Sequence, residues 1–174
     1  MDVIKVGTTS DKITVEEKYE AHYAKLKSTF VAKEASKKVV KAYLKKNPSA
    51  RVDVEKYMTE YAKLWKLEDV PKDKQKATDI TNQKGVVAPL EEKLPKNAVV
   101  AEFQTAVKDQ KAFDDELKNV DPGDQTKVKE YLKLDMLKDE AAADVTAQKN
   151  VVTSQKGKVD AHTYAIKMTC DVKE

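Results

Sequence analysis

The stretch PKNAVVAEFQTAVKDQKAFDDELKNVDPG, residues 95–123, decides the fold. In it Val99, Phe103, Ala106, Gln110, Phe113, Leu117 and Val120 recur at alternating steps of four and three residues. Such steps return side chains to one side of an α-helix, so these positions form an apolar seam with Gln110 as its polar interruption. Pro95 is a favoured first-turn residue, and Asp121-Pro122-Gly123 is a turn signal. Downstream, Leu134, Leu137, Ala141, Val145, Gln148 and Val152 repeat the pattern, predicting a helix over 125–156 that Gly157 caps. A short turn between two long helices predicts a long antiparallel helical hairpin over residues 95–157.

The same periodicity extends upstream. Thr14-Val15-Glu16-Glu17 reads as a capping box, in which hydroxyl and carboxylate satisfy exposed amides reciprocally. Tyr19, Tyr23, Leu26 and Phe30 follow on one helical face, and Val39, Val40, Tyr43 and Leu44 continue it to the stop at Asn47-Pro48-Ser49. A second helix, over about residues 53–66, carries Val54, Tyr57, Tyr61 and Leu64. Residues 1–68 are therefore expected to form an N-terminal strand and helical hairpin. Residues 69–94, broken by Pro71, Gly85 and Pro89, are expected to be a polar linker with a short helical turn. The segment Glu55-Lys56-Tyr57 with Tyr61-Ala62-Lys63-Leu64 echoes Glu17-Lys18-Tyr19 with Tyr23-Ala24-Lys25-Leu26. Duplication and convergence between amphipathic helices both explain that echo.

The two ends read differently. Val3, Ile4 and Val6 before Gly7 predict a short strand in residues 1–9. In the C-terminal strand and tail, 158–174, Tyr164, Ile166, Met168, Cys170 and Val172 alternate with more polar neighbours, the period of a half-buried strand. These strands could pair with each other or add to the sheet edge of a partner. The expected fold class is all-α, with long amphipathic helices in antiparallel hairpins, elongated, and short β-strands at both termini.

Composition narrows the function. Of 174 residues, 36% are charged and 40% hydrophobic, which suits narrow helix–helix seams better than a thick core. The formal net charge is +3, from 33 basic and 30 acidic residues, so the surface is charge-mixed. Arg51 is the sole arginine, and nucleic-acid readers rely on the planar guanidinium fork, so no sequence-specific nucleic-acid partner is expected. The single cysteine, Cys170, excludes an intramolecular disulfide and reads as a small buried hydrophobe in a reducing compartment. Residues 1–30 hold no apolar core of a secretory leader, and no apolar run reaches the length of a transmembrane segment.

No residue set reads as a reaction centre, so the chain is not expected to be an enzyme. His22 and His162 lack metal-ligand spacing, and no metal or cofactor is expected. Neighbouring carboxylates such as Asp114-Asp115-Glu116 point in different directions from a helix and read as solvated faces. Asp121-Pro122-Gly123-Asp124 lacks the alternating ligands of a calcium loop, and Ser154-Gln155-Lys156-Gly157-Lys158 lacks the spaced glycines of a phosphate loop. The aromatic set Tyr19, Tyr23, Tyr57, Tyr61 and Trp65 reads either as the core of the first hairpin or as a protein interface, where Tyr and Trp are favoured. The candidate interface adds Phe103, Phe113 and Leu117 from the seam and Tyr164, Ile166 and Met168 from the terminal strand.

Residues 28–80 resemble subunit d of the mitochondrial ATP synthase peripheral stalk. The similarity lies in an N-terminal amphipathic helix, in Asn47-Pro48 leading to Val52-Asp53 and Tyr57, and in Leu67 to Val70-Pro71-Lys72-Asp73-Lys74. Val54 stands where that family has tryptophan, and the segment between the two motifs is shorter here. Leu90-Glu91-Glu92 with Pro95-Lys96-Asn97 also resembles a small accessory subunit of respiratory complex I. The resemblance implies a structural strut without chemistry of its own.

The expected function is that of a non-catalytic structural or accessory subunit of a large multiprotein assembly, a mitochondrial ATP synthase stalk or another respiratory complex. Its partners would be other protein subunits, with membrane contact only through them, on the matrix side of the inner membrane or otherwise in the cytoplasm. The alternative expectation is an autonomous helical protein that binds a lipid or other apolar ligand between its aromatic stripes.

Overall fold

A computed structural model describes the backbone from Thr9 to Asp171 and the side chains from Lys12 to His162. All six principal elements are α-helices: α1 (Thr9–Lys18), α2 (Glu20–Lys46), α3 (Arg51–Glu68), α4 (Ala77–Glu92), α5 (Val100–Leu117) and α6 (Gln125–Asp171). The chain divides into two compact units, one ending at Val128 and the other comprising residues 129–174. Helix α6 begins at the end of the first unit and supplies the second.

In the first unit α2 packs chiefly on α5, and α3 packs on α4 and α5. The stripe residues explain this. Val54, Tyr57, Tyr61 and Leu64 are all buried on α3, as are Val40 and Leu44 on α2 and Phe103, Ala106 and Val107 on α5. Edge-on aromatic contacts join Tyr43 to Phe103 (5.2 Å between ring centres) and Phe30 to Phe113 (5.5 Å). The expected pairing of the first two long helices therefore gives way to separate partners, α5 for α2 and α4 for α3. Asn47 marks the corner between α2 and α3: its side-chain Nδ2 donates to the Tyr43 carbonyl at 3.1 Å, and its side-chain Oδ1 accepts from Asn97 at 3.3 Å.

Three expectations are corrected. The polar linker over residues 69–94 is mostly helix α4. Pro89 removes one helical hydrogen bond, at a cost of about 3 kcal/mol in a helix interior. It lies in the last turn, where Val87 and Leu90 are buried, with Leu94 just beyond, and Ile80 packs on the same core. Helix α5 starts at Val100, because Pro95 to Ala98 form a turn closed by the Ala98 amide on the Pro95 carbonyl (2.8 Å). Helix α6 runs through Gly157, which adopts no positive φ and caps nothing, and continues over the segment expected to be a C-terminal strand. A helix satisfies its backbone hydrogen bonds internally, whereas a strand needs a neighbour, and the described residues contain no strand. The N-terminal strand expected in residues 1–9 lies outside the described residues except for Thr9, which is helical.

The start of α1 differs as well. Thr14 sits inside α1 rather than at a cap, and the helix breaks at Tyr19 (φ −114°, ψ 28°). The Tyr23 amide still donates to the Tyr19 carbonyl at 2.8 Å, so the chain bends there while keeping that bond.

Candidate interaction surface

The structure draws most of the candidate interface residues inward. Tyr57 and Phe103 are fully buried, Tyr19, Tyr61, Phe113 and Leu117 are buried, and Trp65 packs partly buried on the core. Tyr23 is half-buried. Tyr164, Ile166 and Met168 fall on α6 rather than on a strand, beyond the described side chains. The rings of Tyr57 and Tyr61 stack on each other at 5.9 Å, so this pair is committed within the first unit.

Around these rings lie polar contacts that periodicity does not reveal. Gln104 donates to the Tyr57 hydroxyl at 2.9 Å, and that hydroxyl donates to Glu91 at 3.3 Å. Burial, with Glu91 nearby, pushes the Tyr57 phenol up to about 12. Lys33 lies over both Phe30 (4.7 Å) and Phe113 (4.6 Å), a cation held between two ring faces. Glu116, buried on α5, takes His22 Nδ1 at 3.1 Å and Lys25 Nζ at 3.4 Å from α2. Glu116 belongs to an acidic run whose pattern predicts a solvated face, although its place one residue before Leu117 puts it beside the seam.

At the bend between α1 and α2, Lys18 donates to Asp121 at 2.8 Å and to Asp124 at 2.7 Å. Tyr19 donates its hydroxyl to Asp124 at 2.5 Å and accepts the Asp121 amide at 3.2 Å. These hydrogen bonds hold both carboxyls below the ordinary aspartate range, Asp121 chiefly through Lys18 and Asp124 through Lys18 and then Tyr19. The Asp-Pro-Gly-Asp turn is thus an anchoring point for this bend.

Several open depressions mark the first unit. One, of about 440 Å³ between the end of α3 and α5, is lined by Trp65, Val70, Val107 and Lys111 among others, and Lys108 sits 4.5 Å above the Trp65 ring. Another, of about 340 Å³, lies over Ala32, Ala35 and Val39 of α2 and Thr105 of α5. Among the described residues no group of three or more His, Cys, Asp or Glu side chains could hold a metal, and no helix is long and apolar enough to cross a membrane.

The second unit presents the broadest unfilled pattern. Leu134, Leu137, Ala141, Val145, Gln148 and Val152 all lie exposed on α6, and Val159 extends the stripe. Exposure reaches 52% at Val145, 67% at Val152 and 62% at Val159, which is unusual for repeated apolar positions on one side of a helix. The residue spacing predicts this stripe, with the expectation that it faces the inside of a hairpin.

No family model matches the chain, and neither a curated protein nor a solved structure matches it.

Proposed function

We propose that this chain is a non-catalytic structural or accessory subunit of a large multiprotein assembly and that α6 is its docking element. The observation that carries this reading is the exposed stripe on α6, while most of the described aromatic candidates lie buried in the first unit. A continuous helix that carries an exposed apolar stripe suits a mechanical role, holding a fixed spacing and offering a seam to another helix. The specific form of the proposal is a strut in the peripheral stalk of a mitochondrial ATP synthase, or an accessory subunit of another respiratory complex, on the matrix side of the inner membrane. The resemblance of residues 28–80 to stalk subunit d supports that form.

The test is native electrophoresis of the tagged full chain expressed in its own cells, beside a Val145→Asp/Val152→Asp variant. The wild type is expected in a large complex and the variant outside it, with unchanged unfolding of the first unit. A wild-type chain that migrates alone overturns the reading.

A second reading, an apolar-ligand binder, draws on the depression beside Trp65. Trp65 is the chain's single tryptophan, so its fluorescence reports that site alone. A saturable change on titration with a long-chain fatty acid would favour this reading.

A further inference from the structure

The stripe on α6 has a composition that selects its occupant. Ala141, Val145, Gln148, Val152, Gln155 and Val159 follow one another at steps of four, three, four, three and four residues, and all are exposed. At 3.6 residues per turn they lie within an arc of about 80°. Valine occupies every second position and glutamine most of the others. Beta-branched residues at one set of seam positions favour two strands when leucine fills the other set; here glutamine takes most of that set, and a polar amide in a seam specifies register.

Asp144 borders the stripe on one side, and Lys149 and Lys156 border it on the other. We propose that the stripe pairs with the same stripe of a second copy of this chain, parallel and in register. This deepens the docking reading and rests on α6 being the docking element.

Parallel pairing in register sets each glutamine against its own equivalent. An amide both donates and accepts, so each pair satisfies itself across the symmetry axis. The same arrangement brings Asp144 of one copy beside Lys149 of the other, five residues further on, and symmetry makes this happen twice. Antiparallel pairing that overlaps the whole stripe does the reverse. It faces Gln148 with Val152 and Gln155 with Val145, and brings the two Lys149 side chains together near the axis. A glutamine against a valine loses its amide partner, and like charges placed opposite each other are repulsive. The unpaired glutamine amides thus favour the parallel form.

Oxidative cross-linking of the full chain in a Cys170→Ser background tests this, since Cys170 is the chain's only cysteine. Val152→Cys is expected to form a disulfide with its own equivalent. Asn150→Cys, on the opposite side of the helix, is expected to give about tenfold less dimer, because its Cα atoms lie beyond bridging distance. Both positions are exposed, so neither substitution disturbs the packed unit. A mixed disulfide between Ala141→Cys and Val159→Cys chains, without self-pairing of Val152→Cys, means antiparallel pairing and overturns the proposal. A monomer in sedimentation together with no Val152→Cys cross-link also overturns it. If the native complex persists in that case, a different chain covers the stripe and the accessory-subunit reading stands. A cross-linked dimer without any larger complex supports the pairing and removes that reading.

Discussion

The Tyr19 hydroxyl donates to Asp124 at 2.5 Å across 105 positions of sequence. This bond ties the bend between α1 and α2 to the turn that follows α5, and Lys18 reinforces it on the same carboxylate. The contact has a defined pH signature. Asp121 and Asp124 hold their protons less readily in the folded chain than the ordinary aspartate value of 3.8.

Their contribution to stability is therefore full above the ordinary aspartate range and is lost as pH falls through the depressed folded values, because the unfolded chain takes up protons first. Urea midpoints measured from neutral pH down through the carboxylate range should fall for the wild type. Asp124→Asn should give a shallower fall, with a lower midpoint at neutral pH. A variant with the same acid slope as the wild type would remove this contact from the account.

Tyr57 has the opposite signature. Its phenol is raised to about 12 from 10.0, so the neutral form is the one the fold stabilises. That contribution is complete below the unfolded value and is lost as pH rises from there through the folded value. Tyr57→Phe removes bonds to Gln104 and Glu91 at a cost of about 1 kcal/mol, and it should flatten the alkaline decline in stability. Tyrosinate absorbance followed through alkaline titration checks both points.

Packing at Phe103 should dominate single-site effects. Its ring is fully buried against Tyr43 and the α3 stripe, so Phe103→Ala should cost about 3–5 kcal/mol in urea unfolding. Val152→Ala on the exposed stripe should stay within about 0.5 kcal/mol at low protein concentration, where any association is suppressed. Similar losses at both sites would mean that α6 is packed in the isolated chain.

Gly157 separates two readings of the C-terminal segment. In the structure it lies inside α6 with open space around the position a Cβ would take. Gly157→Ala should therefore increase helical ellipticity and stabilise the helix by about 0.5–1 kcal/mol. Were Gly157 a left-handed cap, the same substitution would destabilise.

Much of the fold was legible because helix formation is local. The stripe of Val54, Tyr57, Tyr61 and Leu64 predicts α3 and its buried side, and Phe103, Ala106, Phe113 and Leu117 do the same for α5. The failures have physical causes too. Helix α4 combines Gly85, Pro89 and widely spaced apolar residues, so its local signal is weak. It is held by tertiary contacts, including Gln83 with Glu60 (2.8 Å) and Lys84 with Glu68 (3.0 Å). The alternation from Tyr164 onward is a strand signal only when a neighbour completes the ladder, and the described residues provide none.

The sequence by itself determined that this protein is helical, which stripes are apolar, and that its surface is charge-mixed, because these properties depend on residue spacing within single elements. Only the tertiary structure decided that α2 lies on α5, that α4 covers α3, that most of the aromatic candidates are buried, and that the α6 stripe is exposed. An apolar stripe specifies that something must cover it, but not which element does. That choice depends on packing between positions far apart in sequence.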